Sequence, residues 1–211
     1  MDGSYIQFGC GTCAPQRWRN FDAGPAFWLQ KHIPFSKPLL LRKGYPDYPI
    51  HQIEYGDVIV GLPVKPDSAE GVYCSHVLEH LALSDFRRAI RNVFDYLKPG
   101  GRFRLVVPDL EYLIRQYCLN GGPDAAPTFL QNAVLGEAST ARGIGSLPRL
   151  LFGRSKHLWM WDFKAIAYEL ADAGFAEARR AYFNDSTDPR FKEVENPGRW
   201  ENCLGVECRK P

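Results

Sequence analysis

The chain has 211 residues, 45% of them apolar and 24% charged, the balance of a globular domain with a core, which excludes a fibre or a disordered tail. Lys and Arg number 26 against 24 Asp and Glu, and a net charge of +2 is too small a basic bias for a protein that binds nucleic acid. No apolar run approaches the roughly 20 residues of a membrane span, Met1 to Phe8 lacks the charged and apolar regions of an export signal, and the six cysteines are expected as reduced thiols in a cytoplasm.

In chain order, Tyr5 to Phe8 reads as a strand stopped by Gly9, and Trp18 to Asp22 as a second strand. Asp57 to Val60 is a candidate strand closed by Gly61-Leu62-Pro63, and Gly71 to Cys74 is another. From Ser84, taken as an N-cap, Phe86, Ala89, Ile90, Val93, Phe94 and Leu97 recur at offsets of three and four, the mark of one buried helix face. Lys98-Pro99-Gly100-Gly101 ends that helix, and Arg102 to Val107 forms the next strand. Strand, helix, glycine stop and strand make a βαβ unit, which predicts a parallel sheet covered by helices. A helix through Leu110, Leu113, Ile114 and Tyr117 follows, then the breaker Asn120-Gly121-Gly122-Pro123. Asp162 caps a helix bearing Phe163, Ile166, Ala167 and Leu170 that ends at Gly174, and Phe175 to Phe183 with Cys203 to Arg209 close the chain as a pair of strands. The expected whole is one domain over 1–211 with insertions at about 25–55 and 120–160, either able to serve as a lid or substrate wall. The second has a glycine-rich middle at Gly143, Gly145 and Gly153.

Gly9-Cys10-Gly11-Thr12-Cys13-Ala14, directly after a strand, lets backbone approach a ligand closely. Asp22, at the end of the second strand, is the acceptor type that takes two ribose hydroxyls. It lies only thirteen residues beyond Gly9, where a dinucleotide fold wants roughly 20, so the intervening helix must shrink to about a turn.

Gly9-Cys10-Gly11, Trp18-x-Asn20-x-Asp22, Asp57 before Gly61-Leu62-Pro63, Ser75-His76-Val77-Leu78-Glu79-His80-Leu81, Leu97-Lys98-Pro99-Gly100-Gly101 and the late Ala173-Gly174-Phe175 together resemble the class I S-adenosylmethionine-dependent methyltransferases. The match is narrower with a short bacterial group that has a compressed G-C-G…W-x-N-x-D segment. The resemblance implies an α/β fold with a Rossmann-like, mostly parallel seven-stranded sheet and helices on both faces. It implies S-adenosyl-L-methionine as cofactor, a small-molecule or saccharide acceptor, and no metal. Gly9 and Gly11, flanked by Phe8 and Cys10, would line the methionine part, and Asp22 would hold the ribose. Asp57 with the backbone of Val58 would meet the adenine edge, and Ser75 and His76 would border the transferred methyl.

A hydroxyl acceptor profits from a general base, for which His76, Glu79, His80 and His157 are the candidates. His80 reads equally as a helix-packing residue, Glu79 as a cap, and His157, near Trp159 and Trp161, as pocket lining or core. His76-Val77-Leu78-Glu79-His80 also spells H-x-x-E-H, a zinc-hydrolase pattern whose ligands belong mid-helix. A cofactor-binding module without catalysis is the other alternative. Cys10-x-x-Cys13 has no second pair to complete a zinc site, so the cysteines read as packing residues. Arg87, Arg88 and Arg91 read as a solvated helix face, and Arg179-Arg180 as a strand edge.

Overall fold

Successive side chains along each strand point to opposite faces of a seven-stranded sheet, and the central strands are buried on both faces. The computed structural model describes residues 5–33, 35–136 and 156–211. Its strands are β1 (Tyr5–Phe8), β2 (Arg19–Asp22), β3 (Ile53–Tyr55), β4 (Ala69–Ser75), β5 (Leu97–Pro108), β6 (Ala176–Ala181) and β7 (Cys203–Arg209). They are ordered β3-β2-β1-β4-β5-β7-β6. The first five run parallel, and β7 lies antiparallel to both β5 and β6. The sheet is Rossmann-like and mostly parallel, as expected.

One face carries Ile6, Phe8, Val72, Cys74, Phe103, Leu105, Leu204 and Val206. It packs on α3 (Leu83–Tyr96) through Phe86, Ala89, Ile90 and Val93, and on a helix we label α6 (Phe163–Asp172) through Ile166 and Leu170. Arg87 is not merely solvated: its guanidinium forms a bidentate pair with Glu169 at 2.7 and 2.8 Å, latching α3 to α6. The other face, with Tyr5, Tyr73 and Val106, packs on Trp18, Phe191, Val194 and Trp200. Most of that cover comes from the β6–β7 connection, which contains 3-10 helices at Pro189–Glu193 and Pro197–Arg199.

Three sequence expectations need correction. Asp57 to Val60 is a turn, and the strand lies earlier, at Ile53–Tyr55. The Asp57 carboxylate accepts from the Ile59 amide at 2.8 Å and its carbonyl accepts from Gly61 at 2.9 Å, a local closure that competes with extended pairing. Helix α3 starts at Leu83 with Ala82 as N-cap and no side-chain cap, so Ser84 lies inside the first turn. The β1–β2 crossover contains no helix, only turns.

The second half of the crossover motif explains how it holds without one. Gln7 Nε2 donates to Asn20 Oδ1 and to the Cys13 carbonyl, both at 2.6 Å, and Asn20 Nδ2 donates to the carbonyls of Pro15, Trp18 and Gln52. Trp18 packs on Tyr5 and Phe191. Side-chain amides thus satisfy backbone groups that a helix would satisfy internally.

The 25–55 insertion contains α1 (Pro25–His32) and α2 (Ser36–Arg42). After β5 come α4 (Leu110–Leu119), capped by Asp109, and α5 (Ala125–Asn132). Gly143, Gly145 and Gly153 lie outside the described residues. Asp162 caps α6, accepting from the Ala165 amide at 2.7 Å, as the sequence suggests. Among the described residues no helix is long and apolar enough to cross a membrane.

Candidate active site

The strand order reverses between β1 and β4, and in open parallel sheets the crevice beyond the carboxyl ends at such a point is where ligands bind. The residues following β1, β2 and β4 all reach this place. Gly9 and Gly11 sit at φ +63° and +57°, a conformation that favours glycine. A Cβ on Gly9 would stand 2.1 Å from Val77 Cγ2, so the loop after β1 and the turn after β4 touch there. A Cβ on Gly11 would meet nothing within 4 Å among the described residues, so this backbone faces open space. Phe8 points its side chain into the core, and Cys10 packs behind the loop on Phe27 and Ile53, its thiol pushed well up by burial, then by Asp22.

Asp22, 8% exposed, organises this bend. Its Oδ2 accepts from the Gly11 amide at 2.9 Å and its Oδ1 from the Gly24 amide at 2.7 Å. The carboxylate is therefore fixed beside the glycine bend, with further lone pairs for a ligand. Asp57 stands in its own turn after β3. Val58 is buried in the core, and its carbonyl accepts from Asn92 Nδ2 at 2.8 Å. These features suit a nucleoside carrying an amino-acid tail: a cradle that a Cβ at Gly11 would enter, and a buried acid at its rim.

On the other side, β4 ends at Ser75 and the chain turns at His76, whose φ of +55° is unusual for a residue with a side chain. His76 Nε2 donates to the Arg199 carbonyl at 2.9 Å and lies 3.7 Å from Cys203 Sγ, while Nδ1 lies 3.3 Å from Glu79 Oε1. Burial pulls this imidazole down, but Cys203, Glu79 and the Arg199 carbonyl together outweigh it and push it up to about 10. With both ring nitrogens engaged, His76 does not suit a proton acceptor in this arrangement. Arg199 itself grips Ser75 through its side chain. Sequence reasoning missed Arg199 and Cys203 because each lies over 120 residues from its partner, and no local pattern reports the pairing.

Beyond His76, Leu78–His80 forms a single 3-10 turn. The zinc-hydrolase reading needs an α-helix there, so its ligand geometry is not available. Glu79 is 0% exposed, and neither of its carboxylate oxygens makes a hydrogen bond among the described residues. Its carbonyl accepts from the amides of Leu158 and Trp159 at 2.7 and 3.1 Å, which carries His157 to the same place. The His80 and His157 rings lie 5.0 Å apart, edge to face. Burial above all holds the His157 imidazole below its ordinary value. Trp161 is core, stacked on Phe86 at 4.2 Å, whereas Trp159 is partly exposed. The structure thus gathers His76, Glu79, His80 and His157 beside Ser75 and sets Asp22, Gly9 and Gly11 across the crevice.

The comparisons agree with this fold. A family model described as "Methyltransferase domain" matches residues 2–177. Among solved structures, an S-adenosylmethionine-dependent methyltransferase of Thermotoga maritima is 15% identical with a TM-score of 0.53, covering 100% of this chain and 83% of that one. One from Archaeoglobus fulgidus is 14% identical with a TM-score of 0.51, covering 99% of this chain and 86% of that one. At such identities the likeness is one of fold. No curated protein matches. The family match covers most of the chain, and the chain belongs to the methyltransferase-domain family as a class I S-adenosylmethionine-dependent methyltransferase.

Proposed function

We propose that the acceptor is a small molecule or saccharide and that the methyl goes to a hydroxyl oxygen. Bound S-adenosylmethionine supplies a methyl that is already electrophilic. The chain's own work is therefore to align the acceptor, exclude water and receive a proton. Gly9 and Gly11 line the methionine part with bare backbone, with Phe8 and Cys10 packed behind. Asp22 receives the ribose hydroxyls, the Asp57 turn and Val58 backbone border the adenine, and Ser75 and His76 border the methyl.

The observation that carries the hydroxyl reading is the buried Glu79 carboxylate, its oxygens free of hydrogen bonds among the described residues, next to His80 and His157 at the methyl end of the crevice. Such lone pairs draw a hydroxyl proton. His76, with its two nitrogens on the Arg199 carbonyl and Glu79, positions Glu79 rather than taking the proton. The 25–55 insertion is the segment we assign to the wall of the acceptor side.

The test is methyl transfer from isotopically labelled S-adenosylmethionine to a panel of sugars, phenols, alcohols and amines, with product position fixed by NMR. Methyl on oxygen supports the reading. Transfer only to nitrogen or carbon contradicts it. Tight cofactor binding without turnover across the panel would favour a non-catalytic binding module.

A further inference from the structure

We propose that Glu79, His80 and His157 hold a divalent transition-metal ion, a ligand set different from the His76 and His80 pair of the zinc-hydrolase pattern. One oxygen of Glu79 and one ring nitrogen from each histidine all lie within 4.8 Å of one another. An ion with bonds near 2.1 Å sets its ligands about 3 to 3.5 Å apart, so small rotations of these side chains close the site.

Three further features point to a cation. The Glu79 carboxylate is fully buried with neither oxygen hydrogen-bonded among the described residues, and His76 Nδ1 approaches only Oε1, at 3.3 Å, which leaves Oε2 a buried acceptor without a hydrogen bond. His80 Nδ1 donates to the Lys156 carbonyl at 3.1 Å, which leaves the Nε2 lone pair 3.8 Å from Glu79 Oε1. His157 Nδ1 is buried and makes no hydrogen bond among the described residues. In His80 the backbone partner on the far nitrogen fixes tautomer and ring orientation, the usual arrangement behind metal-bound histidines.

The frame is tied together as well, since the Glu79 carbonyl binds the two amides that follow His157. One carboxylate and two imidazoles suit zinc, manganese, iron or cobalt better than magnesium or calcium. The two histidines are partly exposed, so the remaining coordination positions open toward the crevice, where water or an acceptor oxygen completes them. A metal ion held there would make an oxygen bound to it more acidic. This last point rests on the hydroxyl reading above; the metal site itself does not.

His76 supplies the competing account, because its Nδ1 at 3.3 Å could balance the Glu79 charge alone. The experiment is calorimetric titration of chelator-stripped protein, without cofactor or acceptor, with Zn2+, Mn2+, Co2+ and Mg2+ in separate runs. Circular dichroism monitors the fold, and Co2+ absorption reports the ligand field.

The proposal predicts one transition-metal ion per chain, bound more tightly than Mg2+. Glu79→Gln and His157→Ala should each weaken binding by roughly a hundredfold or more, with His32→Ala unchanged. If Glu79→Gln fails to fold, His157→Ala at the edge of the cluster carries the test. No binding to folded wild-type protein, or binding that both cluster variants leave intact, overturns it. Because no methyl is transferred in this measurement, its failure leaves the hydroxyl reading to its own test.

Discussion

The guanidinium of Arg199 holds Ser75 twice, Nε donating to the hydroxyl at 3.1 Å and Nη2 donating to the carbonyl at 2.9 Å, across a separation of 124 residues. The β6–β7 connection is thereby fastened to the end of β4, where the crevice begins. Arg199→Ala should cost about 1–3 kcal/mol in urea unfolding, the range for hydrogen bonds from a charged donor. Arg199→Lys should not restore it, because an ammonium cannot make both contacts in the same fork geometry. A stability unchanged in Arg199→Ala would show the clamp to be idle.

Gly9 and Gly11 should separate fold from binding. Both have positive φ, so alanine costs about 1–2 kcal/mol at either position for the backbone alone. At Gly9 the new methyl also strikes Val77 Cγ2, so Gly9→Ala should be the more destabilised variant, and Val77→Ala should recover part of the loss. At Gly11 the methyl enters open space, so Gly11→Ala should fold but bind S-adenosylmethionine poorly. Thermal melts and calorimetry on the same preparations check both.

Arg104 is 0% exposed within β5 and is held by acids from three places: Glu195, Asp185 at 2.9 Å and Glu207 at 3.1 Å. Its guanidinium lies 4.6 Å above the Trp200 ring. Arg104→Met should destabilise by about 3–5 kcal/mol, because Glu195 would stay buried without its cation, whereas Glu207 keeps Arg179 at 2.9 Å. Denaturant unfolding measures this, and a loss under 1 kcal/mol contradicts it.

The α3–α6 latch gives a pH dependence. The Arg87 hydrogen bonds hold the Glu169 carboxyl below its ordinary value near 4.5. Its folded-state pKa is depressed, so the contribution is fully present above the ordinary value and is lost as pH falls through the lowered one. Wild-type stability should therefore drop more steeply than that of Glu169→Gln on acidification below 4.5, as unfolding curves at matched salt would show. The pair is half exposed on the arginine side, so high salt should shrink the difference.

What the sequence made legible was local. The period of α3, the Asp162 cap, the glycine stop before Phe175 and the two central strands follow from residues a few positions apart, and the structure has them. Asp57 to Val60 looked like a strand because three apolar β-formers follow an acid. The Asp57 side chain instead closes a turn on Ile59, a competition that composition does not reveal. The helix-less crossover was visible as a spacing too short for a helix, but the bracing by Gln7 and Asn20 was not, since it depends on two strands pairing. The same holds for the site. Gly9, Gly11 and Asp22 announce themselves by type and order. Arg199 and the approach of His157 to Glu79 arise only when distant loops dock, and His76 looks like a base until its two partners are seen.

Asp22 carries the account of the cofactor site. Asp22→Asn should weaken S-adenosylmethionine binding roughly tenfold to a hundredfold, since an amide cannot accept from the Gly11 and Gly24 amides and the ribose together. The most direct measurement is a crystal structure with S-adenosylhomocysteine bound. The account predicts ribose oxygens within hydrogen-bond distance of the Asp22 carboxylate, the amino-acid tail against Gly9 and Gly11, and the sulfur facing Ser75 and His76. A ligand seated elsewhere, with the Asp22 carboxylate out of reach of the ribose, would contradict it.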